Sequence, residues 1–201
     1  MFVIVVGTFT SCTATAPESD EAGDSAGRIV TMQFRPLPNS SSLLGKRVDD
    51  RQGKCSFRPP ADWDPVDSGN AALGSPHGFM PRMRFRNQAS GDFADIGGLE
   101  EAPAEIDEEY LIDSRNSIEK TLRAAKSGTL LGVDLFKFRE TFIIQTMTKN
   151  RKSVVLQLLL FGKGGRAAQI TFSVGIARYH ALARTIEGSI ASFEWLPSLP
   201  L

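Results

Sequence analysis

The segment AAQITFSV (167–174) restricts most strongly how this chain can fold. Ala168, Ile170, Phe172 and Val174 alternate with Gln169, Thr171 and Ser173. Successive side chains of a strand point to opposite sides, so the run predicts a strand with one apolar face. Such a strand needs neighbours and a covering layer, and the sequence before it supplies both. Residues 129–138, 140–148, 153–162 and 167–175 read as four strands, with KNRK (149–152) and GKGG (162–165) as hairpin turns. Turns this short permit only antiparallel pairing.

Further strands are expected at 28–37, where Val30, Met32 and Phe34 alternate, at 80–87 and at 93–101. A short strand within 53–63 is stopped by Pro59 and Pro60, which cannot donate to a ladder. PNSSS (38–42) and the Gly/Pro-containing stretch 64–78 read as loops. Two helices complete the set. The first spans 107–126, with Asp107 as cap, Glu108 and Glu109 in the first turn, and Leu111, Ile118, Leu122 and Ala125 on one stripe; Gly128 is its stop. The second spans 177–192, with Leu182, Ile186 and Ile190 facing inward ahead of Phe193. The expected class is α+β: an antiparallel β-sheet with amphipathic helices packed in layers.

The N-terminus follows a different logic. MFVIVVGTF is a short apolar run, and TSC places small residues at Cys12. A secretory signal has an apolar core and small residues at its cleavage point. A cysteine directly after that point resembles the lipobox of bacterial lipoproteins, in which the cysteine becomes the first mature residue and carries lipid. Ser11 fits that pattern, whereas Leu, Val or Ile is usual where Phe9 stands. No basic leader precedes the run, so residues 1–12 read as a truncated signal peptide and lipobox, with Cys12 the lipidation site. Residues 13–27, TATAPESDEAGDSAG, hold no aromatic residue and four acids, and cannot bury enough surface to offset the entropy of ordering. They read as a flexible acidic tether with an r.m.s. span of about 20 Å and a reach of about 50 Å. The folded domain is then 28–197. The expected location is the bacterial cell envelope, lipid-anchored, on the periplasmic or outer-surface side. Cys55 is the only other cysteine, and a Cys12–Cys55 disulfide in an unanchored secreted protein is the alternative.

Charge narrows the partners. Lys+Arg and Asp+Glu are 23 each. The four acids of the tether leave 23 basic against 19 acidic residues in the remainder, an excess of four. That is too mild for a dedicated nucleic-acid binder, so no nucleic acid is expected as partner.

Catalytic patterns are sparse. His77 and His180 have no carboxylate or cysteine at metal-ligand spacing. GKGGR (162–166) lacks the P-loop spacing and joins two strands rather than a strand and a helix. Asp62, Asp64 and Asp67 lack the glycine and terminal glutamate of a calcium loop. No catalytic or metal-binding residue is assigned, no cofactor is expected, and no enzyme activity follows. Arg82, Arg84 and Arg86 stand at period 2, which places all three guanidinium groups on one strand face and within reach of an anionic partner. The competing reading is a solvated face, partly covered by acids such as Glu100, Glu101 and Glu105. Trp63 joins the arginines as a possible partner or ligand contact, in a pocket between sheet and helix.

FRPPADW (57–63), AAQITFSV and SIASFEW (189–195), taken in order, resemble the PsbP-like fold superfamily. That superfamily includes the photosystem II extrinsic subunit, a Ran-binding nuclear import factor and bacterial lipoproteins. FRPPADW is similar to its aromatic-x-x-Pro-x-x-Trp motif, and SIASFEW to its closing Ser-Phe. The resemblance covers about 28–196. It implies an αβα sandwich acting as a protein-binding, assembly or scaffold module without a cofactor, partnered in the cell envelope and held to the membrane by the lipid anchor. A carrier of a small or anionic ligand is the alternative.

Overall fold

The computed structural model describes residues 30–31, 40–50, 52, 54–66, 79–99, 105–125 and 128–197. Four long strands form the predicted meander: β7 (Thr129–Phe138), β8 (Thr141–Lys149), β9 (Ser153–Gly162) and β10 (Arg166–Gly175). All three pairings between them are antiparallel. β10 continues into β6 (Phe93–Leu99), then β5 (Phe79–Arg86) and β4 (Asp64–Val66), while β1 (Val30–Thr31) adds to the opposite edge on β7. The result is an eight-stranded sheet ordered β1-β7-β8-β9-β10-β6-β5-β4. β1 pairs parallel with β7, the one departure from the antiparallel pattern in this sheet.

Each face of the sheet buries a separate cluster. On β10, Ala168, Ile170, Phe172 and Val174 are at most 1 % exposed, as their alternation predicts. They pack with Leu156, Leu158 and Leu160 of β9 and with Ile186, Ile190 and Phe193 at the end of α3 (Ile176–Ala191). On the other face, Leu111 of α2 (Glu108–Ala124) covers Val133, Ile144 and Phe161. β8 shows the division most directly, since neighbours Ile143 and Ile144 belong to opposite clusters. Burying each of these large side chains contributes about 1.5–3 kcal/mol. The order α3, sheet, α2 is the expected αβα layering.

The helix ends follow their sequences. Asp107 caps α2 by accepting from the Tyr110 amide at 2.8 Å. Ala125, in extended conformation, ends the helix just before the expected stop. Gly164 and Gly165, both at positive φ near 70°, close the β9–β10 turn.

A second sheet lies beside α3; the sequence reading anticipates its central strand, the short one expected within 53–63, but not the pairing. β3 (Cys55–Phe57) sits between β2 (Val48–Asp50) and β11 (Glu194–Trp195). Cys55 and Phe57 face the main sheet and are wholly buried. The closing SFEW motif locks this sheet onto the meander: Phe193 and Trp195 meet edge to face at 4.9 Å, and Trp195 Nε1 donates to Thr141 Oγ1 at 3.0 Å. Trp195 lies over Gly162, where any Cβ would strike the indole. α1 (Ser40–Leu43) is a single turn that begins in the expected 38–42 loop. β4 falls in the expected 64–78 loop, and of the expected strand 28–37 only Val30–Thr31 is described as strand.

Candidate functional site

The three arginines of β5 do not share a face. The pairing of β5 with β6 shifts register between Pro81 and Met83. Pro81 has no N–H to give the ladder, and an irregularity there releases the alternation. Arg82 turns toward the second sheet, where its Nε donates to Asp50 Oδ2 at 2.6 Å. Its guanidinium occupies the space that a Cβ at Gly98 would take, on the side of Ala168 and the α3 cluster. Arg84 points to the opposite face. It grips Asp95 through two bonds, Nε to Oδ1 at 2.5 Å and Nη2 to Oδ2 at 2.6 Å, and lies over the Phe93 ring at 5.0 Å. Arg86 shares Arg84's side by alternation and is exposed. The single-face grouping is therefore corrected: the shift between Pro81 and Met83 separates Arg82 from the other two. Two of the three charges serve the fold. Asp50 and Asp95 are 7 % and 6 % exposed, and a buried carboxylate must have such a partner.

Trp63 is also a fold residue. It is 3 % exposed and packs edge to face on Phe172 at 6.2 Å. Its expected role as a partner or ligand contact in a pocket between sheet and helix is therefore corrected: the indole is packed into the core and lines neither concavity described below. Cys55 is wholly buried, and that burial, reinforced by nearby Asp50, pushes its thiol up to about 12. Pairing with Cys12 would bring a second sulfur into the core. Cys12, the tether 13–27, Asp67, His77, Glu100 and Glu101 lie outside the described residues. Asp62 accepts from Asn87 Nδ2 at 2.6 Å, and Asp64 begins β4 opposite Arg86. His180 meets Tyr179 edge to face at 5.9 Å on α3. Among the described residues no three His, Cys, Asp or Glu side chains are grouped to hold a metal.

Two concavities are formed at opposite ends of the meander. One, of about 600 Å³, lies at the foot of α3 between the 90–92 turn, the 151–153 turn and Arg178. The acid that lines it, Asp92, is already engaged by Gly175 N at 2.8 Å, Ser90 Oγ at 2.9 Å and two Arg178 nitrogens at 2.8 and 2.6 Å. The other, of about 420 Å³, lies between the 137–142 and 161–165 hairpins and the lead-in to α2. Phe142 and Phe161 line it with Ile106. Lys137 Nζ stands 5.1 Å from the Phe142 ring centre, and Lys163 pairs with Glu140 at 2.7 Å across the two hairpin tips. Neither concavity is lined by Trp63 or by the arginines of β5. The sequence signal for the second was the pairing of two aromatics, Phe142 and Phe161, beside two charged turns; its convergence depends on register.

This chain's eight-stranded, largely antiparallel sheet with one helix layer on each face is PsbP-like in fold, as a solved structure shows. The solution structure of cyanobacterial PsbP (CyanoP) from Synechocystis sp. PCC 6803 is similar, with a TM-score of 0.52 over 77 % of this chain and 93 % of that one, at 14 % sequence identity. A crystal structure from Bacteroides thetaiotaomicron VPI-5482 aligns with a TM-score of 0.40 and 17 % identity, over 77 % of this chain and 49 % of the other. Neither a family model nor a curated protein matches the sequence.

Proposed function

We propose that this chain is a lipid-anchored envelope protein whose PsbP-like domain binds a protein partner in a scaffold or assembly role, without catalysis of its own. The anchor half of the reading is supported by the Cys12 pattern and the acidic stretch that follows it. The reading without catalysis is supported by how the domain pairs its buried charged groups, and the protein-binding role is what the resemblance to the PsbP-like superfamily implies. Asp50, Asp92 and Asp95, the buried acids, each close on an arginine of the same chain. Carboxylates neutralised in this way hold layers together and are poorly poised for proton transfer.

Two measurements test the reading. In native membranes, mass spectrometry of the N-terminal peptide should find Cys12 acylated, and Cys12→Ser should move the protein out of the detergent phase. An unmodified N-terminus in the soluble fraction would remove the anchor. Photo-crosslinking from several surface positions in cells should then return one reproducible protein partner; none from any position would remove the binding role.

A further inference from the structure

We propose that the concavity at the foot of α3 binds a phosphomonoester, held by Arg151 and Lys152. Such binding stands apart from the protein partner, and either role can fail alone. At about 600 Å³ the concavity exceeds what a bare phosphate ion needs and suits a small phosphorylated molecule or a lipid headgroup. The turn that presents the two cations is fixed before any ligand arrives. Asn150 Oδ1 accepts from the amides of Lys152 and Ser153, both at 2.8 Å, and Asn150 N donates to Ser153 O at 3.0 Å. The Ile176 amide donates to Lys152 O at 3.2 Å and ties the turn to α3.

Charge selects the ligand. The charged side chains that line the concavity are Asp92, Arg151, Lys152 and Arg178. Asp92 and Arg178 cancel. Each Asp92 oxygen already accepts two hydrogen bonds, Oδ1 from Gly175 N and Arg178 Nη2, Oδ2 from Ser90 Oγ and Arg178 Nε. A carboxylate offers about four acceptor positions, so Asp92 has none left over and its charge is offset by Arg178. Arg151 and Lys152 remain. Both are exposed, and neither side chain forms an ion pair among the described residues. The wall therefore carries two positive charges without a counter-charge. The half-buried Ser173 adds a hydroxyl to it. A phosphomonoester brings close to two negative charges and three acceptor oxygens, which suit a guanidinium fork beside an ammonium. A carboxylate brings one charge, and a cationic ligand meets repulsion.

The test uses the full chain, unacylated and labelled with ¹⁵N, with glycerol 3-phosphate as the probe at low salt. Amide shifts should saturate and concentrate in 90–92, 151–153 and 175–178. Glycerol should give none, and acetate should bind at least about tenfold more weakly. Arg151→Gln with Lys152→Gln should weaken the probe by about tenfold and leave the unfolding midpoint unchanged, since neither side chain has an ion pair to lose. Shifts elsewhere, no shifts at millimolar probe, equal binding of acetate, or undiminished binding by the double variant would overturn the proposal. Vesicles separate the two sources of the phosphate. Sedimentation with phosphatidylcholine vesicles that contain phosphatidic acid, but not with phosphatidylcholine alone, and its loss in the double variant, would assign a lipid headgroup. Probe binding without sedimentation would assign a free phosphorylated molecule. Sedimentation unchanged in the double variant would overturn the headgroup assignment.

Discussion

Arg178 holds Asp92 through two hydrogen bonds, at 2.8 and 2.6 Å, and so pins the first turn of α3 to the turn between β5 and β6. Gly175, just before the helix, donates its amide to the same carboxylate at 2.8 Å, and Ser90 adds its hydroxyl at 2.9 Å. α3 has no side-chain cap of its own, so an acid 83 residues away does that work. Burial alone would raise the Asp92 pKa, but Arg178, Gly175 and Ser90 together outweigh it and hold the carboxyl below its ordinary value.

The sign of the resulting pH dependence is fixed. A carboxyl whose pKa is lower in the folded chain adds stability that is complete above its unfolded pKa, about 3.9, and is lost as pH falls through the folded value. Urea unfolding of the natural chain should therefore show stability dropping below about pH 4. Asp92→Asn should flatten that part of the profile, and Asp92→Ala should cost about 2 kcal/mol at neutral pH. An acid limb identical in Asp92→Asn and the natural chain would show that Asp92 is not its source.

Cys55 makes a chemical prediction of the opposite kind. Its thiol is raised to about 12, first by burial and then by Asp50, so almost none is thiolate at pH 8. Iodoacetamide at that pH should leave Cys55 unlabelled in the folded chain and label it fully in guanidinium, as read by peptide mass spectrometry. An acid with a raised folded pKa adds stability below its unfolded value, about 8.5, and loses it as pH rises toward 12. Cys55→Ala should therefore lessen the loss of stability above about pH 8.5. Rapid native labelling would place the thiol outside the core.

The layers were legible in the sequence where the signal was long and local. Ten-residue strands such as β9 and β10 keep their alternation over several turns of the pleat, and α2 carries its cap and stripe in sequence order. Of the second sheet only β3 is legible, as the short strand expected within 53–63; β2 and β11 are three and two residues long and come from distant parts of the chain. No periodicity exists over three residues, and the pairing of Trp195 with Cys55 is a tertiary fact. The arginine run failed for a narrower reason. The alternation of the three arginines starts at Arg82, directly after Pro81, and it is there, between Pro81 and Met83, that the register shifts. Period 2 alone puts Arg82 and Arg84 on one surface, and the FRPPADW motif alone does not tell a pocket-lining Trp63 from the core residue it is. The cavity was invisible because Glu105, Phe142 and Phe161 meet only through the fold.

Gly98 and Arg82 provide the most discriminating test of this layering. A Cβ at Gly98 would fall on the guanidinium of Arg82, which is the mobile end of a long side chain. Gly98→Ala should therefore displace the guanidinium rather than the β6 backbone. What it loses is the 2.6 Å bond to Asp50, a carboxylate only 7 % exposed that ties the second sheet to β5. Arg82→Ala loses the same bond, so each single variant should cost about 2 kcal/mol in urea or guanidinium unfolding. In the Arg82→Ala background the space over Gly98 is empty. There an alanine reduces the freedom of the unfolded chain and should be neutral or stabilising by about 0.5 kcal/mol. The double variant is thus expected to be no less stable than Arg82→Ala alone. Simple addition of the two costs would mean that Gly98 serves the strand itself, and that Arg82 does not depend on the glycine for its course across β6 to the second sheet.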